Sequence, residues 1–281
     1  MSQNIPQDNY VKAGDINTRF WSAGDKGSTV ILVHGLGGSV ESWMYNIGNL
    51  AQHHRVFAID LPGFGLSDKT LNLLTISYGA RFIKDFMDTQ DIDTASLIGN
   101  SLGGGITLQF AIQFPDRTEK IVLVNSVGLG RELALILRLS TLPLIGEYLT
   151  RPYRKGTVRL LLKRCVYDPE VLTDEIIEYT YQHAIRPGAH KCFLSTLRWV
   201  SNVNGQRTKN VNSILNNLAS LSSPTLILWG KQDRMIPVSH AYVAEKSIPN
   251  AELHILDPCG HSPQIERPEE FKDLVLNFLT Q

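Results

Sequence analysis

The sequence lacks a net charge, and this absence excludes one broad class of function. Among its 281 residues, 27 are Lys or Arg and 27 are Asp or Glu, so the formal net charge is zero. Proteins that bind nucleic acid in general need a basic surface that neutralises phosphate groups. We therefore predict that nucleic acid is not a partner.

Cysteine is also scarce. The three cysteines, Cys165, Cys192 and Cys259, have neither the short spacing of a metal site nor the even number that a disulfide framework needs. The adjacent His53 and His54 lack the carboxylate–histidine spacing of a metal-binding helix. These patterns predict free or buried thiols in a reducing compartment, with no metal and no organic cofactor.

No long apolar run is present. The most apolar stretch, LALILRLSTLPLIGEYL, is broken by Arg138, Pro143 and Gly146, so it is not a bilayer span. The first ten residues, MSQNIPQDNY, are polar and contain no apolar signal region. We therefore expect a cytoplasmic protein without stable membrane insertion, and the sequence leaves the oligomeric state open.

The stretch from Leu133 to Leu149 nevertheless has three interpretations. Its periodicity favours simple packing against the core. It could instead line an acyl pocket or contact a lipid surface, and the sequence alone leaves both alternatives open.

Short apolar runs recur along the chain and predict the central sheet. Runs without polar alternation are typical of parallel strands that are buried on both faces. Helical patterns such as ISYGARFIKDFMDTQ lie between them, and the N-terminal VKAGDINTRFWSAG predicts a β-hairpin. The alternation predicts an α/β layered fold. The runs are TVILVHG, RVFAID, ASLIGN, KIVLVNS, PTLILWG and AELHIL.

One gap interrupts this alternation. Roughly ninety residues between KIVLVNSVG and PTLILWG contain no such strand, which is too long for a simple loop. We predict that residues 130–217, called the insert below, form a helical cap over a core made of residues 1–129 and 218–281. Residues 131–217 contain 13 Lys and Arg against 7 Asp and Glu, a net charge of +6.

The candidate nucleophile is a serine between a predicted strand and a predicted helix. In IGNSLGGG, Ser101 is the centre of a G-x-S-x-G pattern, and Gly99 and Gly103 leave room for a sharp turn that exposes it. A serine needs a histidine as base, and a carboxylate must orient that histidine. Asp233 and His261 each follow a later predicted strand, which gives the order Ser, Asp, His. We predict that these residues form a catalytic triad.

An oxyanion hole is the remaining requirement, because backbone N–H groups must stabilise the charge on the attacked carbonyl oxygen. The stretch LVHGLGGS follows the first strong strand, and its glycines allow close approach of the backbone. We expect the N–H groups of Leu102 and Leu36 to be the donors, with Gly37 as the alternative to Leu36. His34 is expected to brace this loop. The pattern of a phosphate-binding loop is absent.

Together these motifs resemble the α/β-hydrolase fold family over nearly the whole chain. The stretches that carry the resemblance are HGLGG, DLPGFGLSD, GNSLGG, WGKQDRMIP and CGHSPQIERPEEF. The resemblance implies a mostly parallel central sheet flanked by helices, with an inserted helical cap. Epoxide hydrolases and haloalkane dehalogenases have an aspartate where this chain has Ser101, so acyl chemistry on a small-molecule substrate is implied. Ser101 would attack a carbonyl, His261 would transfer the proton, Asp233 would hold the imidazolium, and water would release the acyl-enzyme.

Two substrate classes fit this resemblance, and the main prediction is a carboxylic ester. The alternative is the carbon–carbon bond of a meta-cleavage product, a 2-hydroxy-6-oxo-dienoate. GNSLGG and the cap stretch VYDPEVLTDEIIEYTYQHAIRPG are similar to the hydrolases of such keto acids, in which a cap arginine binds the substrate carboxylate. Arg186 is the nearest match. However, this chain has HGLGGS where those enzymes commonly have H-G-x-G-P-G, and Ser262 where they have tryptophan.

Three aromatic residues, Trp43, Phe64 and Trp199, are candidates for lining the substrate pocket, with plain packing as the alternative. The alternative from another functional class is that the chain is a non-catalytic ligand-binding protein of the same fold. An inactive binder would often lack a triad member, and this chain contains all three.

Overall fold

The computed structural model describes residues 5–70, 73–152 and 154–281. Within these ranges the strands are β1 (Asn9–Ala13), β2 (Ile16–Ala23), β3 (Thr29–Val33), β4 (Arg55–Ile59), β5 (Ala95–Asn100), β6 (Thr118–Val124), β7 (Ser201–Asn202), β8 (Gly205–Gln206), β9 (Thr225–Gly230) and β10 (Ala251–Leu256).

The helices in the same ranges are α1 (Ile47–Leu50), α2 (Ile76–Thr89), α3 (Leu102–Gln113), α4 (Leu135–Leu139), α5 (Ile145–Thr150), α6 (Lys155–Leu162), α7 (Asp174–Ala184), α8 (Ala189–Val200), α9 (Thr208–Leu215), α10 (Ser239–Ser247), α11 (Pro263–Glu266) and α12 (Pro268–Thr280). Single 3₁₀ turns lie at Val40–Trp43, Pro115–Arg117, Pro169–Val171 and Leu218–Ser220.

The described part of the chain forms a mostly parallel central sheet with the strand order β1-β2-β4-β3-β5-β6-β9-β10. The N-terminal hairpin pairs antiparallel, and β2 also lies antiparallel to β4. The other five neighbouring pairs, β4–β3, β3–β5, β5–β6, β6–β9 and β9–β10, are all parallel. Each of the six apolar runs forms a strand, so the predicted α/β architecture and the predicted hairpin are confirmed.

The sheet is buried on both faces, as the runs without alternation predict. In β3, Ile31 belongs to one apolar cluster, whereas Val30 and Leu32 belong to the other. The first cluster includes Phe86 of α2 and Phe110 of α3, and the second includes residues of α1 and α12. Helices cover both faces of the sheet, so a central strand must carry apolar side chains on both sides. The uniformly apolar sequence of β3 fits this arrangement.

The insert is helical, as expected, and carries α4 to α9 between β6 and β9. It also contains a short hairpin of two two-residue strands, β7 and β8, that the sequence patterns do not predict. Its last helix, α9, packs against α3, and Ile214 is fully buried in the same cluster as that helix. The end of the insert is therefore attached directly to the central layers.

No helix among the described residues has the length and apolar composition needed to cross a membrane. All three cysteines are free thiols.

The tight contact between β5, β3 and α3 generates a stability prediction. A Cβ atom on Gly103 would collide with the Val33 carbonyl oxygen, whereas one on the exposed Gly48 of α1 would meet nothing within 4 Å. We expect Gly103→Ala to lower the free energy of unfolding by at least ~2 kcal/mol, because backbone has to move. Gly48→Ala should change it by less than ~1 kcal/mol, in the stabilising direction. Urea unfolding measures both, and equal effects would contradict the packing described here.

Candidate active site

Ser101 lies at a sharp turn between β5 and α3. Its φ angle is +57°, a conformation that residues other than glycine rarely adopt. The turn is held by a hydrogen bond of 2.9 Å from the Ser101 N–H to the Val124 carbonyl. A Cβ on Gly99 would meet the backbone of Gly103, and one on Gly103 would meet that of Val33. The glycines thus provide the room that the sequence analysis expects.

Asp233 and His261 are joined by a hydrogen bond of 2.7 Å between Oδ2 and Nδ1. The carboxylate is fully buried, and its Oδ1 accepts the N–H groups of Met235 at 2.7 Å and Ile236 at 3.0 Å. These backbone donors hold the carboxylate in place. Because the carboxylate oxygen Oδ2 can only accept, the ring proton of His261 lies on Nδ1. Nε2 is then left as the basic atom, which is the tautomer that a serine hydrolase needs.

Two polar residues that the sequence analysis missed support this pair. Asn125, with a φ of +47°, donates from Nδ2 to Asp233 Oδ2 at 2.6 Å and to the Gly260 carbonyl at 3.3 Å. Glu266 accepts the N–H groups of Gly260 at 3.0 Å and Tyr167 at 2.6 Å. Asn125 is the first residue after β6, and Asp233 lies three residues after the end of β9. This shared position after a parallel strand is the sequence signal that could have identified Asn125.

A cavity of about 230 Å³ lies between the Ser101 turn, the His261 loop and the insert. Ser101 and His261 line it, and so do the expected oxyanion-hole residues Leu36, Gly37 and Leu102. Most of the remaining wall is aliphatic and comes from the insert. Its members include Leu133, Ile136, Leu137, Val158, Leu161, Leu162, Leu197 and Val200.

His34 braces the loop that carries Leu36, as the sequence suggests. It is fully buried, donates from Nδ1 to the Gly35 carbonyl at 2.7 Å, and accepts the Leu61 N–H on Nε2 at 3.0 Å. Burial lowers its pKa to about 4, because the charged imidazolium would lose its hydration. The neutral ring therefore links two loops at the edge of the cavity over most of the pH range.

A buried ionic cluster lies behind the same loops. Arg19, with only 4% of its side chain exposed, pairs with Glu41 at 2.8 Å, Asp8 at 2.7 Å and Asp60 at 3.5 Å. Burial opposes ionisation of Glu41, but the hydrogen bond and charge of Arg19 outweigh it, so the pKa of Glu41 is lowered. His183 of α7 approaches Glu41 at 3.8 Å and also lines the cavity. The cluster thereby connects the insert with the central layers.

The candidate substrate-contact residues separate into different places. Phe64 is one of the residues that line the cavity. Trp43 is fully buried and packs on the ring of Phe271 at 6.4 Å, so it belongs to the core. Trp199 lines a separate groove. Arg186 is exposed beyond the end of α7 and is not among the residues that line either space.

A sequence model described as the α/β-hydrolase family matches residues 30–274. The chain belongs to this family. The nucleophile turn, the buried Asp–His pair and the mostly parallel sheet of this α/β-hydrolase are features that the family is built on.

Individual relatives extend the comparison to nearly the full chain. The chain is 32% identical over 284 aligned residues to the 2-hydroxy-6-oxo-6-(2'-aminophenyl)hexa-2,4-dienoic acid hydrolase of Metapseudomonas resinovorans, covering 100% of this chain and 93% of that protein. The structure is similar to that of the 2-hydroxy-6-oxo-6-phenylhexa-2,4-dienoate hydrolase from a Rhodococcus species, with a TM-score of 0.84, 27% identity, and coverage of 98% and 99%. It is also similar to an N-acyl homoserine lactone degrading enzyme, with a TM-score of 0.75, 26% identity, and coverage of 96% and 100%. This α/β-hydrolase is an enzyme.

The Asp233–His261 pair generates a prediction about serine reactivity. In Asp233→Asn the amide would hold the wrong imidazole tautomer, so we expect Ser101 to react with a fluorophosphonate roughly 10³- to 10⁴-fold more slowly. Ser101→Ala should abolish labelling. Asp257→Asn, at an exposed carboxylate that pairs with Lys231, is the matched control and should label as the wild type does. Unchanged labelling of Asp233→Asn would remove Asp233 from the triad.

The burial of His34 predicts a pH effect on stability. Its folded pKa of about 4 lies below the value near 6.5 of an unfolded histidine, so between these values only the unfolded state takes up the proton. This group should therefore cost roughly 3 kcal/mol of stability as the pH falls from 6.5 to 4. Denaturant unfolding at several pH values should show a flatter pH dependence for His34→Gln than for the wild type. The exposed His53 provides the control variant His53→Gln, which should keep the wild-type slope.

Proposed function

We propose that this α/β-hydrolase cleaves the carbon–carbon bond beside a carbonyl group in a 2-hydroxy-6-oxo-dienoate. The sequence motifs favour a carboxylic ester, with the dienoate as the alternative. The relatives reverse this order, because the chain is similar over its full length to enzymes that are named as dienoate hydrolases. The observation on which the proposal most depends is that Ser101 and His261 line one largely apolar cavity in a chain with this similarity.

In this proposal Ser101 is the nucleophile, His261 the acid–base group and Asp233 the residue that orients it. The 2-hydroxyl proton first moves to the carbon beside the 6-keto group, which gives the 2,6-dioxo tautomer with an sp³ carbon at that position. Ser101 Oγ bonds to the 6-keto carbon and transfers its proton to Nε2 of His261. The adjacent carbon–carbon bond then breaks, and its electron pair becomes a dienolate conjugated with the carboxylate end of the substrate. His261 protonates the dienolate oxygen, and water hydrolyses the ester on Ser101. One water is consumed, and a carboxylic acid and a hydroxydienoate are released.

The oxyanion that forms during this attack needs hydrogen-bond donors that are already in position. We assign this role to the N–H groups of Leu36 and Leu102, with Gly37 as the alternative to Leu36. Support comes from the position of all three residues in the cavity wall and from the neutral His34 that braces the first loop.

We further propose that residues 130–217 act as a cap on a core of residues 1–129 and 218–281. The aliphatic side chains that the insert contributes to the cavity wall support this division. A dry wall around the carbonyl strengthens the electrostatic interactions that stabilise the charged intermediate.

The carboxylate of a dienoate also needs a cation, and we assign this role to Arg164 instead of Arg186. Arg164 borders the cavity although it is exposed to solvent, whereas two other cations of the insert, Arg159 and Arg198, are held in ion pairs with Asp174 and Glu147. The next residue, Cys165, accepts the His261 N–H on its carbonyl at 2.8 Å, so Arg164 is anchored beside the catalytic histidine. A guanidinium can bind a carboxylate through two parallel hydrogen bonds.

Hydrolysis of an ester is the second candidate function. The aliphatic cavity wall suits an acyl chain as well as a dienoate tail, and one structural relative is named as a degrader of an acyl lactone, which is a cyclic ester. The departures at HGLGGS and Ser262 from the common pattern of the dienoate hydrolases point in the same direction.

A comparison of kcat/KM values tests the substrate assignment, because this ratio measures transition-state stabilisation. We expect a 2-hydroxy-6-oxo-dienoate to exceed a series of p-nitrophenyl esters by orders of magnitude. Arg164→Gln should reduce kcat/KM for the dienoate roughly 10- to 100-fold, because a charged hydrogen bond is lost, and should affect uncharged esters little. The matched control Arg186→Gln should leave both activities unchanged.

Higher kcat/KM values for the esters would replace the proposal with the second candidate. A large effect of Arg186→Gln, with none for Arg164→Gln, would instead return the anchoring role to Arg186. Ser101→Ala serves as the blank for both substrates.

A further inference from the structure

The outer surface of the insert exposes apolar side chains at one turn. We call this surface the apolar tip and define it by Leu139, Leu144, Ile145 and Tyr148. Leu144 is 82% exposed and Tyr148 is 74% exposed. The Tyr148 N–H donates to the Leu144 carbonyl at 3.0 Å, so the two exposed residues belong to the same turn at the start of α5. Large apolar side chains grouped in this way on a surface mark a site of interaction.

Leu144 is exposed to solvent in a backbone conformation that is energetically unfavourable for a leucine. Its φ is +67°, in the left-handed region that favours glycine or asparagine. Hydrogen bonds on both sides maintain the turn, from Leu142 N–H to the Leu139 carbonyl at 3.1 Å and from Gly146 N–H to the Leu142 carbonyl at 2.9 Å. A leucine held in this conformation gains little burial within the chain.

The charge around the apolar tip indicates the chemistry of this partner. Residues 135–164 contain seven Lys or Arg against one Asp or Glu. Two of these cations pair with acids of α7, Lys155 with Glu178 and Arg159 with Asp174, and the single acid, Glu147, pairs with Arg198. With these three partners included, eight basic residues stand against three acidic ones, a net charge of +5. Arg138, Arg151 and Arg154 flank the tip in the chain. Apolar side chains surrounded by basic ones are the pattern of segments that lie on anionic lipid surfaces.

We propose that the apolar tip docks this enzyme on the surface of an anionic lipid bilayer. Leu144, Ile145 and Tyr148 enter the boundary between head groups and acyl chains, and the surrounding arginines contact lipid phosphates. A second copy of the chain fits less well, because two copies of this positively charged segment would repel each other. The inner side of the same segment lines the cavity through Ile136 and Leu137, so the docked surface is the roof of the active site.

Vesicle flotation of the full chain tests this proposal. The protein should float with vesicles of equal parts phosphatidylcholine and phosphatidylglycerol, and much less with phosphatidylcholine alone. Binding should weaken when the salt concentration is raised from about 0.1 M to about 1 M, because screening shortens the electrostatic range from roughly 10 Å to 3 Å. Equal binding to both vesicles, or to neither, would overturn the proposal.

Variants separate the apolar tip from the rest of the surface. Leu144→Asn combined with Tyr148→Asn should lower the partition coefficient at least roughly tenfold, because two apolar side chains no longer enter the lipid. Asparagine tolerates the left-handed conformation, so the turn is retained. The matched control combines Tyr10→Asn with Tyr242→Asn, two half-exposed tyrosines of the central layers, and should bind as the wild type does.

Two further outcomes would contradict the proposal. The first is wild-type binding by the Leu144→Asn, Tyr148→Asn variant when its thermal unfolding temperature is unchanged. The second is a dimer in sedimentation equilibrium without lipid that this variant dissociates, which would assign the apolar tip to self-association.

Discussion

The turn at Ser101 is the constraint on which the rest of this structure depends. A serine at a φ of +57° carries a conformational cost of ~1–3 kcal/mol, and the surrounding backbone must impose it. Here β5 delivers the chain to the turn and α3 leaves it, while Gly99 and Gly103 allow the two elements to approach without Cβ atoms between them. The helix begins immediately after Ser101, so its N-terminal amides lie next to the serine. Strand, turn and helix therefore position the proposed nucleophile and the N–H of Leu102, one proposed oxyanion donor, together.

Strand order then gathers the other polar groups around this turn. Strands β5, β6, β9 and β10 are successive neighbours in the sheet, and their carboxyl ends precede Ser101, Asn125, Asp233 and His261. Because parallel strands end at one edge of the sheet, residues that are 160 positions apart in the chain meet there. Asn125 ties the Asp233 carboxylate to the His261 loop through the Gly260 carbonyl, so the acid–base pair is held by the sheet as well as by its own hydrogen bond.

The insert has apolar side chains on two sides, and each side has a different consequence. Its inner side chains form most of the cavity wall above Ser101 and His261. Its outer side chains, with Leu144 at the most exposed point, are left without partners in the chain. Between these sides, His183 approaches the buried Glu41, so the position of α7 depends on a charged cluster that also supports the loops of the central layers. The inserted helices and the active site are thus mechanically connected.

The sequence by itself determined the strands, the helical insert and the order of the three residues proposed as the triad, because apolar runs and G-x-S-x-G spacing are local patterns. It also indicated that the insert is basic. Only the tertiary structure decided which of its cations faces the cavity. Both Arg186, just beyond α7, and Arg164, which follows α6, are exposed to solvent, but only Arg164 also borders the cavity, because the packing of these helices sets where each side chain lies. Asn125 escaped notice for a similar reason, because its role exists only where β6 and β9 lie side by side.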